Sequence, residues 1–546
     1  MPVTGPAFTL FFAGDAYSTA KKIMGRQSAG EAMIKGVART WPTGRIAAFG
    51  PGDHPVGLER QLAGHGFGGK VTWSQGLTGP AASGLGAAYY PAPPVPELAH
   101  ARNTVSPGAY SLIGVTHTLS STGAMDQIGR MVLAPFQPWD ALICTSRAAL
   151  DVVNRLFATH EAWAKEHLGA TRIQRPQTPV IPLGVDTERF APDPAARRAA
   201  RTALGLADGE SVFLFAGRLS FHAKANPAPF YAAAQTAAAG GRRIVAIEAG
   251  VFPNDYARRA HDQARAALAP DVRFLTVDGA DRAAYDSAWR AADVFVSLSD
   301  NVQETFGLTP LEAMAAGLPV LVSDWNGYRD TVRDGVDGYR IPTFAPPPGG
   351  GDRLAASHSD ESLGYDHFVG LLSLVTVVAP EPLAEAVQRL ADSPDLRARM
   401  GIAGRARACE SFAWPVVLHR YDALARELAS LRPATPPAAV PWPGRPEPLN
   451  LFAGHPTATV RGHWIVARTP GLSTTAVDDL IGLTIANYGF MPAHLTEGDV
   501  RTVFDALAHG PARLDAVASA NPDRRRGVFA LMWLGKFDLV RLTPPA

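Results

Sequence analysis

The sequence predicts an α/β protein built as two parallel-sheet halves followed by a smaller third unit. Three observations carry that expectation. Short apolar runs of strand length alternate with amphipathic segments, the pattern of parallel sheets covered on both faces. The series breaks near residue 190 at the polar stretch DTERFAPDPAARRAARTALGLADGE and then restarts. Finally, a proline-rich segment precedes the last hundred or so residues.

In the first half (1–190) the strand candidates are FTLFFA, RIAAFG, KVTWSQ, YSLIGVTH, DALICTS and PVIPLG. In the second half (191–431) they are SVFLFAGRLS, RRIVAIEAG, DVRFLTVDG, ADVFVSLSD and LPVLVSD. Helical periodicity then runs to residue 431. The segment from Pro415 to Leu431 places Val416, Leu418, Tyr421 and Leu424 on one face, expected to cover the body of the protein. Residues 432–448 hold seven prolines in seventeen residues without periodicity, the composition of a semi-rigid linker. Residues 449–546 read as helix, helix, helix and strand, a winged-helix-like accessory domain.

The bulk numbers exclude several classes. With 51 basic and 50 acidic residues in 546, the chain has no electrostatic grip on nucleic acid along its length. Two cysteines, Cys144 and Cys409, make no disulfide framework and fit a reducing compartment. The opening MPVTGPAFTLFFAGDAYS carries no basic leader, and no apolar run approaches the roughly 18 residues of a membrane span. A cytoplasmic protein is expected, with peripheral membrane contact left open.

The chemistry concentrates in NVQETFGLTPLEAMAAGLPVLVSDWNGYRD, where Glu304 and Glu312 are separated by seven residues across a loop and a helix start. Thr309, Pro310 and Glu312 fit N-cap, N1 and N3, so Glu312 reads by itself as the acid of a capping box. The other reading uses the helix N-terminus as an anion site, with a carboxylate nearby to accept sugar hydroxyls. Glu304 has no capping role and is either a solvated loop acid or a ligand. Upstream, GRLSFHAK puts Arg218 and Lys224 just past a strand, either as surface cations or as a pair suited to a diphosphate.

Together, ETFGLTPLE, GRLSFHAK, PLGVDTERF and GLPVLVSD resemble the retaining nucleotide-sugar glycosyltransferases of family 4 over roughly residues 5–430. The resemblance implies the GT-B fold, two Rossmann-like domains facing a cleft, with an acceptor-side first half and a donor-binding second half whose final helix returns to the first. It implies that Glu304 holds hydroxyls of the transferred sugar, beside the amides of Phe306, Gly307, Leu308 and Thr309. Glu312 would bind the ribose, and Arg218 and Lys224 the leaving diphosphate. Asp324 to Tyr328 replaces a more glycine-rich turn, and Asp330 stands where Glu is common, which bears on sugar preference.

In the first half, Gly25-x4-Gly30 resembles a P-loop opening, but Glu31 and Ala32 occupy its Lys and Ser/Thr positions. Ser28 to Glu31 reads instead as a capping box, and the resemblance places this loop beside the donor. His117, at the end of YSLIGVTH, reads alone as a satisfied histidine; the resemblance turns it toward the donor sugar. Neither a DxD on a strand end nor a metal-ligand spacing is found, so no metal is expected. The expected partners are a UDP- or GDP-sugar and a glycan or other hydroxyl acceptor, with retention implied by the family.

The third unit suggests another class of function. Arg524 to Arg526 could meet phosphate, yet nine basic against eight acidic residues make a weak DNA footprint. Docking or self-association is the expected role. A non-catalytic or regulatory sugar-nucleotide-binding protein with an interaction module is the alternative to the enzyme.

Overall fold

The computed structural model describes residues 5–13, 17, 25–51, 55–77, 85–491 and 494–545, with the side chains of 25–28 left out. The chain divides into two compact units, Met1–Trp442 and Pro443–Ala546.

The first unit contains two six-stranded sheets. The first comprises β1 (Phe8–Phe11), β2 (Arg45–Gly50), β3 (Lys70–Gln75), β4 (Ala87–Tyr89), β5 (Ser111–Val115) and β6 (Ala141–Ile143). Its order is β3-β2-β1-β4-β5-β6, parallel throughout. The second comprises β7 (Ser211–Ala216), β8 (Ile244–Gly250), β9 (Arg273–Asp278), β10 (Val294–Ser297), β11 (Val320–Ser323) and β12 (Gly338–Ile341). Its order β12-β11-β10-β7-β8-β9 is again all parallel. In both sheets the order reverses in the middle, which opens a crevice at the strands' carboxyl ends.

Three departures from the sequence reading concern strands. PVIPLG does not form a full strand. Val180 only bridges Cys144, because Pro179 and Pro182 have no N–H to donate to a ladder. β4 and β12 were not foreseen. β4 is three residues of Ala-Ala-Tyr, fully buried between β1 and β5.

Helix Trp414–Leu431 leaves the second half and packs on the first. Asp422 accepts from the Ala7 amide at 2.6 Å, and the Tyr421 ring lies 5.6 Å from Tyr89. The buried face is Val417, Leu418, Tyr421, Leu424, Ala425 and Leu428. Val417 takes the place expected for Val416, since it lies three residues after Trp414 and four before Tyr421 on one face; the Trp414 ring packs against Gly36 and Gly184. Where the chain crosses between halves, Val185 and the Phe412–Trp414 segment exchange backbone hydrogen bonds, Val185 N to Phe412 O at 2.8 Å and Trp414 N to Val185 O at 3.4 Å.

The proline-rich stretch is docked rather than free over its first part. Arg432 donates to Gly86 O at 2.6 Å, Ser106 donates to Pro437 O at 2.7 Å, and Trp442 stacks on His100 with ring centroids 5.5 Å apart.

The second unit holds a three-stranded antiparallel sheet, with Ile465–Arg468 between Ala512–Arg513 and Val540–Thr543. Helices Glu497–Asp505, Leu514–Ala518 and Arg524–Lys536 pack around a core of Val500, Phe504, Leu531 and Leu534. Ile465–Arg468, the central strand, is absent from the sequence reading. Arg526 is turned inward to Asp499 at 2.5 Å, which makes it part of a buried polar cluster rather than a phosphate contact.

Candidate functional site

The site grows from the loop between β10 and helix Leu308–Ala315. This helix has Gly307 at its N-cap with φ 88°, a left-handed conformation that favours glycine. A Cβ at Gly307 would also lie 2.0 Å from the Tyr328 ring. Because Gly307 takes the cap, Thr309 falls at the second helical residue, and no side chain caps the helix. The capping-box reading of Thr309 and Glu312 is therefore incorrect. The Thr309 hydroxyl is buried and has no hydrogen-bond partner among the described residues.

Glu304 sits just before this terminus. Its carboxylate meets Lys224 Nζ at 2.5 Å and accepts from the Thr305 amide at 3.2 Å. Burial by itself would raise its pKa, but Lys224 and the Thr305 and Phe306 amides outweigh that and hold it below the usual carboxylate value. Glu312, one loop and one turn away, goes in the other direction. Burial pushes it up to about 6, with Arg189 and Lys224 only partly offsetting. Its carboxylate accepts no hydrogen bond among the described residues.

The loop is held from behind by the segment after β11. Asn326, at φ 35°, donates from its side chain to Glu304 O at 2.6 Å. Trp325 Nε1 donates to Asn301 O at 2.9 Å, and Tyr328 OH shares a hydrogen bond with Ser297 Oγ at 2.8 Å. The Lys224 loop is tied to the same framework: Gln303 donates to Ala223 O and Ser299 to Lys224 O, at 3.0 and 3.2 Å. Lys224 and Glu304, eighty residues apart in sequence, are thus brought together by backbone-directed bonds.

The other expected residues are placed as follows. Arg218 is exposed and forms no ion pair among the described residues; its charge acts on Tyr365. His117 is half-buried, and its Nε2 donates to Pro91 O at 2.9 Å within the first half. Gly25 and Gly30 lie inside helix Gly25–Thr40, so neither the glycine loop nor a cap at Ser28 exists as expected. The remainder of the expected loop, 14–16 and 18–24, lies outside the described residues. The halves meet at this site through Ser146, which caps helix Arg147–Leu168 and donates to Thr305 O at 2.9 Å. A second contact runs from Ser120 to Tyr365 OH at 2.9 Å.

One acid escaped the sequence reading. Asp300, at the end of β10, is buried and pushed up to about 7 by burial, with Ser373 and the Asn226 amide partly compensating. An acid closing an apolar strand was the available signal. Among the described residues no three His, Cys, Asp or Glu side chains are grouped to hold a metal, and no helix is long and apolar enough to cross a membrane.

Comparisons with known proteins fall on the same region. Residues 196–346 match the family model "Glycosyl transferases group 1". A D-inositol 3-phosphate glycosyltransferase of Streptomyces griseus is 32% identical over 284 residues, covering 50% of this chain and 51% of the relative. The enzyme of that name from Geodermatophilus obscurus is 38% identical over 172 residues, 30% of this chain and 37% of the relative. The chain spans about half the length, or less, of the curated relatives it matches. Among solved structures, Anabaena HepE with UDP aligns at 19% identity and TM-score 0.49, over 78% of this chain and 99% of that one. The segment that matches the group 1 glycosyl transferase model is the one that carries Arg218, Lys224, Glu304 and Glu312.

Proposed function

We propose that this chain transfers a glycosyl group from a nucleoside diphosphate sugar to a hydroxyl acceptor, and that it does so with retention. The observation that carries the reading is the Lys224–Glu304 pair set at an uncapped helix N-terminus with a buried, unpartnered Thr309 hydroxyl. The helix terminus offers backbone amides, Thr309 a hydroxyl without a partner among the described residues, and Lys224 a positive charge in the loop beside them, a set of groups that suits a phosphate. The match of this segment to group 1 glycosyl transferases, and relatives named as glycosyltransferases, support the same reading.

The mechanism follows from charge. As the sugar–phosphate bond breaks, negative charge builds on the diphosphate and positive charge on the sugar ring. Lys224, the helix terminus and Arg218 stabilise the first. Glu304, kept ionised, accepts sugar hydroxyls and stabilises the second, with His117 beside the donor sugar. The amides of Phe306, Gly307, Leu308 and Thr309 line the phosphate side, and Glu312 takes the ribose hydroxyls. Retention rests on the family resemblance and fits departure and attack on one face, with a leaving-group oxygen taking the acceptor proton. The donor is a UDP- or GDP-sugar, and the unit 449–546 serves as a docking module. Calorimetry with UDP, GDP and ADP, followed by turnover of the matching sugar nucleotides, tests the reading; binding of none of them would refute it.

A further inference from the structure

Behind the donor loop lies a cavity of about 650 Å³ that the glycosyl-transfer reading does not use. Phe306, whose amide faces Glu304, also lines the cavity. The cavity opens between the two halves, with Thr145, Val180 and Pro182 from the first, beside the segments that cross between them. Its lining is unusually cationic: Arg147, Arg329, Arg333, Arg340, Arg407 and Arg420, against Asp330 and Asp334 alone.

Several of these arginines have structural duties. Arg333 forms a two-pronged pair with Asp337 at 2.6 and 3.0 Å. Arg407 donates to the carbonyls of Thr331 and Asp330 at 2.8 and 2.9 Å and lies 3.8 Å from Asp337, a carboxylate it shares with Arg333. The remainder is less occupied. Arg420 is exposed and has neither a hydrogen bond nor an ion pair among the described residues. Arg147 reaches Asp330 only at 3.5 Å, with 84% of its side chain exposed. Arg340 Nη1 donates to Arg329 O at 3.0 Å and lies 3.4 Å from Asp324, but its Nε is buried without an acceptor among the described residues. Arg329 is 4.0 Å from Asp324, its closest acid. Counting Asp324, Asp337 and Glu410, whose charge acts on Arg333, with the lining acids gives five carboxylates for six guanidiniums.

Guanidinium forks match phosphate oxygens two at a time, and several converging forks match more than one phosphate group. We propose that this cavity binds a small molecule or headgroup bearing at least two phosphates, gripped on the first half by Arg147 and by Arg420 of the helix packed there, and from the second half by Arg340. Such a ligand would hold the two halves in a fixed relation.

Inorganic tripolyphosphate, titrated calorimetrically into the full chain, is the probe. The Arg218→Ala background weakens the donor-side phosphate site, and there tripolyphosphate binding should persist. Adding Arg420→Gln should weaken it by about tenfold, and Arg147→Gln with Arg420→Gln by about a hundredfold, one charge-assisted contact at a time. Arg198→Gln, on an exposed helix outside the cavity, should change nothing. Far-ultraviolet circular dichroism and melting confirm that each variant is folded. Pelleting with phosphatidylinositol bisphosphate vesicles, lost in the double variant, would identify a lipid headgroup as the source; tripolyphosphate binding without pelleting would identify a free phosphate compound. No binding to the Arg218→Ala chain, binding that survives the double variant, or an equal loss in Arg198→Gln would overturn the proposal.

Discussion

Glu304 and Glu312 belong to one loop–helix element, yet their carboxyl groups are driven in opposite directions. Both are removed from bulk water, which penalises the charged form of each. Glu304 has Lys224 at 2.5 Å and two amides aimed at it; Glu312 has cations only at longer range and no hydrogen-bond donor. The difference teaches that spacing along a helix does not assign a role to an acid. A cation delivered from eighty residues upstream does.

The largest expected effect comes from removing that cation. Lys224→Ala should cut donor turnover by about a hundredfold or more, because the phosphate loses its ammonium and Glu304 is left buried and unpaired. The pair should also show in acid stability. A carboxylate held below its unfolded value contributes stability above that value, ordinarily 4.5, and loses it as pH falls through the folded value. Wild-type melting should therefore drop below about pH 4.5 more than the melting of Lys224→Ala does. Equal turnover in the two proteins would break the comparison.

Next in size is Arg218→Ala. It should weaken nucleoside diphosphate binding by about 1.5–3 kcal/mol, read by calorimetry. Melting should not move, because Arg218 is exposed and holds no ion pair among the described residues.

The paired amide substitutions sharpen the contrast itself. Glu304→Gln should lower turnover more than nucleotide affinity, and Glu312→Gln should do the reverse. Glu312 carries a further sign. Its folded value of about 6 exceeds its unfolded 4.5, so its ionisation destabilises the fold as pH rises through that interval. Glu312→Gln should then raise stability by about 1–2 kcal/mol at pH 8 and by nothing at pH 4, measured by denaturant titration. A loss of stability instead would restore a capping role.

The smallest expected effect is that of chelation. With Arg218, Lys224 and a helix terminus available to the diphosphate, EDTA should leave most turnover intact. Loss restored by Mg²⁺ would place a metal in the site.

Much of the second half was legible because its strands are apolar runs of four to seven residues and its site is one contiguous motif. What escaped was set by neighbours rather than by local pattern. β4 has only Ala87, Ala88 and Tyr89, with no β-branched residue, and is a strand because β1 and β5 pair with it on both sides. The capping box failed because Gly307 already turns the chain into the helix at positive φ. The buried face of Trp414–Leu431 includes Leu418, Tyr421 and Leu424 as expected, and only Val416 gives way to Val417, which stands one turn before Tyr421. Asn326 and Tyr328 stood out only as a departure from a glycine-rich turn. In three dimensions they are the struts under Glu304.

The exchange of backbone bonds between Val185 and the Phe412–Trp414 segment has a mechanical consequence. A single strand of chain joining two bodies is a swivel: either body can spin, tilt or slide. Two strands laced together are a strap, which leaves one easy motion, flexing about a line across its width. That geometry permits the two halves to swing like the covers of a book, with the Ser146–Thr305 bond at their closing edge. Gly184 lies in the spine of that book, beneath Trp414, where an added Cβ would stand 2.4 Å from the indole. A substitution there would jam the swing without touching a single residue of the site.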